Sequence, residues 1–109
     1  MTTTSEETTL AEMAEYMSNK IRLRAEAVRY GVPADMVDGW LRYILDYIHP
    51  GDFGMAVLRN DLLNAFERAD AVNARHMFNT VKFLYNAAPA ACWGSQEKID
   101  RWLAKRKVD

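Results

Sequence analysis

Met36, Val37, Trp40, Leu41, Ile44, Leu45 and Ile48 recur at i, i+1, i+4, i+5, i+8, i+9 and i+12, and Pro50 follows two residues later. Side chains spaced this way cover one broad face of an α-helix, whereas one face of a strand takes only alternate residues. A face this wide predicts a central helix covered by other elements. Pro33 suits its first turn, where the missing N–H costs nothing. Pro50 disfavours a helical residue before it, so the helix is expected to stop at His49.

The segments on either side read as helices too. Thr4 and Glu7 have the spacing of a capping box, in which hydroxyl and carboxylate satisfy free backbone donors. Leu10, Met13, Met17, Ile21, Ala25 and Val28 then form one apolar stripe. Glu6, Glu7, Glu12 and Glu15 lie early in this helix, while Lys20, Arg22, Arg24 and Arg29 lie late, which complements the helix dipole. Gly31 is a natural terminator, because it accepts the left-handed conformation without steric cost.

After the Pro50-Gly51 turn, Asp52 is the expected N-cap of a helix running to about Ala69. Its apolar face comprises Phe53, Ala56, Val57, Leu58, Leu62, Ala65 and Phe66. Asp70 or Asn73 caps a fourth helix carrying Met77, Phe78, Val81, Leu84 and Tyr85, which ends before Pro89. Ser95 caps a last helix with Ile99, Trp102 and Leu103. Glu97 near its start and Lys105, Arg106 and Lys107 at its end again suit the dipole. No internal repeat, heptad register or low-complexity linker interrupts the pattern. The expected fold is all-α: one domain over residues 1–109, a compact bundle of about five short helices, with residues 1–4 frayed.

Composition narrows the function classes. The 14 basic and 15 acidic residues nearly cancel, which gives little generic attraction to phosphate backbones or anionic lipid. Nucleic acid and membrane are therefore not the expected partners. Cys92 is the single cysteine, so no internal disulfide forms, which suits a reducing compartment. Residues 1–9 are polar and acidic, unlike a signal peptide. The longest apolar run, residues 87–93, is broken by Pro89 and too short to span a bilayer. A cytoplasmic location is expected.

No catalytic or metal-binding constellation stands out, and no cofactor is expected. A thiol nucleophile would need Cys92 beside His49 or His76 in an electropositive setting, but its neighbours Ala90, Ala91 and Trp93 read as packing. One cysteine and two scattered histidines show no ligand spacing. The Pro50-Gly51 turn could attract an anion at the following helix N-terminus, yet Asp52 would occupy the free N–H groups and repel a phosphate. The turn also has the length of a helix-turn-helix. The helix after it offers no base-reading donor until Arg59 and Asn60.

Polar residues on the apolar side of the third helix are more informative. Asp61 and Arg68, seven apart, are expected to satisfy each other or a neighbouring helix end, with an interface hot spot as the functional alternative. Asp70, Asn73, His76 and Asn79 make a polar strip at a helix start. Asn60, Asp61, Arg68 and Asp70 are the candidate interaction surface. Three Trp, five Tyr, four Phe and six Met exceed what a small core takes up, which points to a partner surface and to homodimerisation.

Residues 50–103 also resemble a group of small, functionally uncharacterised phage and prophage proteins. The likeness rests on Pro50-Gly51-Asp52-Phe53, Ala56-Val57-Leu58-Arg59-Asn60-Asp61-Leu62, Arg68-Ala69-Asp70 with Asn73, Phe83-Leu84-Tyr85-Asn86 with Pro89, and Cys92-Trp93-Gly94-Ser95 with Trp102-Leu103. The chain departs from that pattern at Asp52 and Gly54, where a second glycine and a bulky apolar residue are more usual. Those departures weaken the turn as a ligand site. The resemblance implies phage origin and lends no activity or site residues.

The expectation is thus a non-enzymatic accessory protein that binds a host or phage protein in the bacterial cytoplasm. The alternatives are a nucleic-acid-associated regulator with a helix-turn-helix-like element, and a small-ligand or nucleotide binder with a pocket near the Pro50 turn.

Overall fold

The computed structural model describes residues 3–106, with side chains from residue 9 onward. Among these residues the chain is all-helical: α1 Thr3–Tyr30, α2 Ala34–Asp46, α3 Gly51–Leu58, α4 Leu62–Arg68, α5 Ala71–Arg75, α6 Met77–Ala87, a 3₁₀ turn at Ala90–Cys92, and α7 Gln96–Leu103. Residues 3 and 4, expected to be frayed, belong to α1, which therefore begins ahead of the expected cap at Thr4; residues 1–2, the side chains of the Thr4–Glu7 capping box and Lys107 lie outside what is described.

Two breaks raise the described count above the expected five. The helix foreseen over residues 52–69 stops at Leu58, because Asn60 turns left-handed at φ 64°. Asn tolerates that conformation better than most side chains. The chain restarts where the Asp61 carboxylate accepts the Asn64 N–H at 3.3 Å and so caps α4. The fourth expected helix is capped by Asp70, which accepts the Asn73 N–H at 2.8 Å, but it yields at His76 and restarts as α6.

Other boundaries follow local chemistry. Gly31 (φ 79°) ends α1, and Val32 N–H reaches back to the Ala27 carbonyl at 3.0 Å. The α2 helix ends at Asp46 rather than His49, because Tyr47 adopts φ 59° and caps it left-handed. Asp52 is not the N-cap of α3. Gly51 (φ 88°) donates its N–H to His49 Nδ1 at 3.0 Å, and α3 begins there, ahead of Asp52. Ser95 caps α7 as expected, accepting Lys98 N–H at 3.2 Å.

The core is centred on α2, whose Trp40, Leu41, Tyr43 and Ile44 are buried against Leu23, Leu58, Phe83, Ile99 and Trp102. Two hydrogen bonds tie distant segments to Tyr43. Its hydroxyl donates to the Cys92 carbonyl at 2.6 Å, and its carbonyl accepts the indole N–H of Trp102 at 3.1 Å. A second tie joins the α3–α4 break to the segment before α7. Gly94 N–H donates to the Leu58 carbonyl at 2.6 Å, and Asn60 Nδ2 donates to the Gly94 carbonyl at 3.2 Å.

The apolar stripe of α1 faces solvent. Leu10, Met13, Met17, Ile21 and Val28 are 53% to 68% exposed, while Leu23 and Ala27 form the buried face. Tyr16 adds to that inner side by donating its hydroxyl to Asp46 at 2.7 Å. A helix of 28 residues is about 42 Å long, and the molecule measures 56 × 29 × 21 Å. Residues 9–15 are all exposed, and the first buried side chain of α1 is Leu23. On α6 the expected stripe is likewise displaced. Phe83 and Thr80 are buried with Met77 and Leu84, whereas Phe78, Val81 and Tyr85 are exposed.

Candidate functional site

Two of the four candidate residues meet at one cleft. It has a volume of about 180 Å³ and lies between α3, α4 and α6, with Val57, Leu62, Ala65, Met77 and Val81 as walls and Asn60 and Asp61 as its polar edge. Its apolar character continues outward. Leu62 and Phe66 follow one another at i, i+4 on α4, and Leu63, 84% exposed, stands beside them. On α6, Phe78, Val81 and Tyr85 form a stripe at i, i+3 and i+7, all exposed. Single exposed apolar residues are ordinary, but two adjoining helices that both turn large side chains to solvent are not.

The polar edge is fixed by structural duties. Asn60 Nδ2 bonds the Gly94 carbonyl, and Asp61 caps α4 while sitting 3.5 Å from Arg59. Asp61 therefore satisfies a helix end, one of the two roles foreseen for it, and has no bond to Arg68. Arg68 instead donates from Nε to Asn64 at 3.0 Å and lies 3.4 Å from Asp52 across the α3–α4 joint. Asp70 is occupied in capping α5. The four residues thus do not converge on one centre. The apolar residues around Asn60 and Asp61 are the part that the sequence reading placed in the core.

Cys92 is fully buried, and burial pushes its thiol up to about 12. A thiol held protonated in this way is a packing group at neutral pH. His49 accepts the Gly51 N–H, and His76 Nδ1 lies 3.1 Å from Asn79 Nδ2, so both imidazoles are engaged locally. Among the described residues, no three His, Cys, Asp or Glu side chains are grouped to hold a metal ion. No helix among them is long and apolar enough to cross a membrane.

The Pro50 turn is filled rather than hollow. A Cβ placed on Gly54 would fall 2.8 Å from Pro50 Cβ and 3.5 Å from the Trp40 ring. A bulky apolar side chain would not fit at this position. Residues 54–58 of α3 are all buried, which leaves that helix no face to enter a DNA groove.

Two further clefts flank α1. One, of about 300 Å³, is lined by Glu12, Tyr16, Arg22, Tyr47 and Trp102 among others. The hydrogen bond to Asp46 raises the Tyr16 phenol above its ordinary value, with burial and the Asp46 charge acting in the same direction. The other, of about 360 Å³, contains Lys20, Arg42 and the Arg24–Asp38 pair at 2.6 Å. Hydrogen bonding to Arg24 holds the Asp38 carboxyl below its ordinary value. Both clefts mix charges of either sign and show no convergent set of donors for one ligand.

No known protein family, curated protein or solved structure matches this chain.

Proposed function

We propose that this is a non-enzymatic accessory protein that acts by binding another protein through the α4–α6 cleft. The observation that carries the reading is the apolar character of that cleft and its two helices: Leu62 and Val81 line it and are exposed, and Leu63 and Phe66 on α4 and Phe78 and Tyr85 on α6 are exposed as well. Aromatic and large aliphatic side chains around an apolar slot suit an apolar helix or loop laid into it, with the side-chain oxygen of Asn60 at the edge to accept from a partner's backbone donor. The same reading takes the partner to be a host or phage protein and the setting to be the cytoplasm of a bacterial host. The sequence likeness over residues 50–103 supports phage origin. Self-association forms part of it as well.

Capture from host lysate tests the reading when the intact chain is compared with a Leu63→Asp/Phe78→Asp variant. Both side chains are exposed, so the variant keeps its fold. The expected result is a protein enriched by the intact chain at low and high salt alike and lost with the variant. Enrichment of nucleic acid that fades with salt, or a captured set unchanged by the substitutions, would overturn it.

A further inference from the structure

We infer that the cleft of about 300 Å³ between α1 and the C-terminal end of α2 binds an organic ammonium ion, the protonated form of a linear polyamine. This goes beyond the partner-binding reading and makes no use of the α4–α6 cleft. A cation does not need the convergent donors that the cleft lacks. An ammonium group brings its own N–H groups and asks for acceptors and aromatic rings.

The cleft supplies both. Tyr16, Tyr47 and Trp102 line it, and the rings of Tyr47 and Trp102 stand at 70° with centroids 5.5 Å apart, forming a corner. Trp102 already attracts one ammonium of this chain, because Lys105 Nζ lies 3.9 Å from its ring centroid, and Lys105 is not among the residues that line the cleft. On the α1 wall, Glu12 and Glu15 stand one turn apart. Both are exposed, and neither belongs to an ion pair among the described residues. The Asp46 carboxylate adds a third negative charge 2.7 Å from the Tyr16 hydroxyl, which occupies only its Oδ1.

The backbone acts in the same direction. Ile44, Leu45 and Tyr47 bring the end of α2 to the cleft, and the last turn of that helix carries no basic residue. The partial negative charge of a helix C-terminus favours a cation nearby. Arg22 is the single cation of the lining, and its Nη2 is drawn along α1 to Asn19 Oδ1 at 3.4 Å.

These features select among ligands. A nucleotide would meet the repulsion of Glu12 and Glu15. An inorganic ion would need a tight ligand set, and no three His, Cys, Asp or Glu side chains are grouped for one among the described residues. The carboxylates are separated from the aromatic corner by Leu23, Ile44 and Leu45, which suits amines joined by methylenes. The volume lies at the lower end of the range for small-ligand sites.

Titration of spermidine into the full chain, followed by its backbone and indole NMR signals at about 0.15 M salt, tests the inference. Saturable shifts are expected at the Trp102 indole and along the cleft wall of α1. Glu12→Gln/Glu15→Gln changes two exposed side chains, so helix content by circular dichroism should hold while binding weakens about tenfold. Arg22→Gln removes the opposing charge and should tighten binding about threefold, a gain that a merely structural role would not produce. Hexanediol, an uncharged aliphatic chain, should leave the signals in place at the same concentration. Equal shifts with hexanediol, shifts spread over acidic residues outside the cleft, unchanged binding by the Gln variant, or no shift at millimolar spermidine would each overturn the inference. The Leu63→Asp/Phe78→Asp variant should still bind spermidine, so loss of partner capture and loss of polyamine binding are separate results.

Discussion

Tyr43 donates its buried hydroxyl to the carbonyl oxygen of Cys92, 49 residues further along the chain, at 2.6 Å. Through that bond the central helix holds the 3₁₀ turn that leads into α7. The Tyr43 carbonyl, accepting the Trp102 indole, holds α7 itself.

Replacing Tyr43 with Phe removes only the hydroxyl and leaves the Cys92 carbonyl buried without its donor. A loss of about 1–3 kcal/mol is expected, read as a lower urea midpoint with an unchanged slope. An unchanged midpoint would mean that water replaces the donor and that the bond adds nothing.

Alkaline pH should destabilise the fold through the same pair. Burial raises Cys92 to about 12 and raises Tyr43 above its ordinary value as well. Both groups are neutral when protonated, and the folded state keeps those protons while the unfolded chain releases them. Their contribution is therefore complete below the unfolded values, about 8.5 for a thiol and 10 for a phenol, and is lost as pH rises towards the folded ones. Urea midpoints between pH 7 and 11 should fall progressively above about 8.5. Cys92→Ala should flatten the first part of that decline.

The break between α3 and α4 separates backbone from side-chain effects. Asn60→Ala forces a Cβ-branched-free but still L-chiral residue into φ 64° and also deletes the amide bond to Gly94. Asn60→Gly deletes only the amide bond. The expected losses are about 2 kcal/mol for alanine and about 1 kcal/mol for glycine, and equal losses would refute strain at this position.

Capping residues and surface ion pairs should differ sharply. Asp61→Ala removes the α4 N-cap and should cost about 1 kcal/mol. Arg68→Ala breaks only exposed contacts to Asn64 and Asp52 and should change stability by less than about 0.5 kcal/mol. Thermal melts of the two variants side by side check the contrast.

The helical class, the central α2 stripe and the caps at Asp70 and Ser95 were legible in the sequence, because each depends on spacing or on one local hydrogen bond. Asn60 was harder to read. Nothing in its immediate neighbours announces a left-handed residue, and the break gains support from Gly94, 34 residues away. The α1 and α6 stripes misled for another reason. Apolar periodicity identifies a helix and its face, but not whether other elements reach that face, and the outer stripe of α1 stays exposed. Tyr43 carries the opposite lesson. It lies i+7 from Met36 and i+3 from Trp40, at the edge of the expected stripe, but its hydroxyl kept it out of an apolar count, and its ring and hydroxyl are both wholly enclosed. The cleft was foreshadowed by Asn60 and Asp61, while its apolar rim was assigned to the interior.

Gly94 and Asn60 bond one another's segment in both directions, and Cys92, two residues before Gly94, hangs from Tyr43. Two hydrogen-bonded joints, two residues apart in the chain, thus connect the cleft's polar edge to the middle of α2, so substitutions at Asn60 and at Tyr43 should not add independently in their effect on stability.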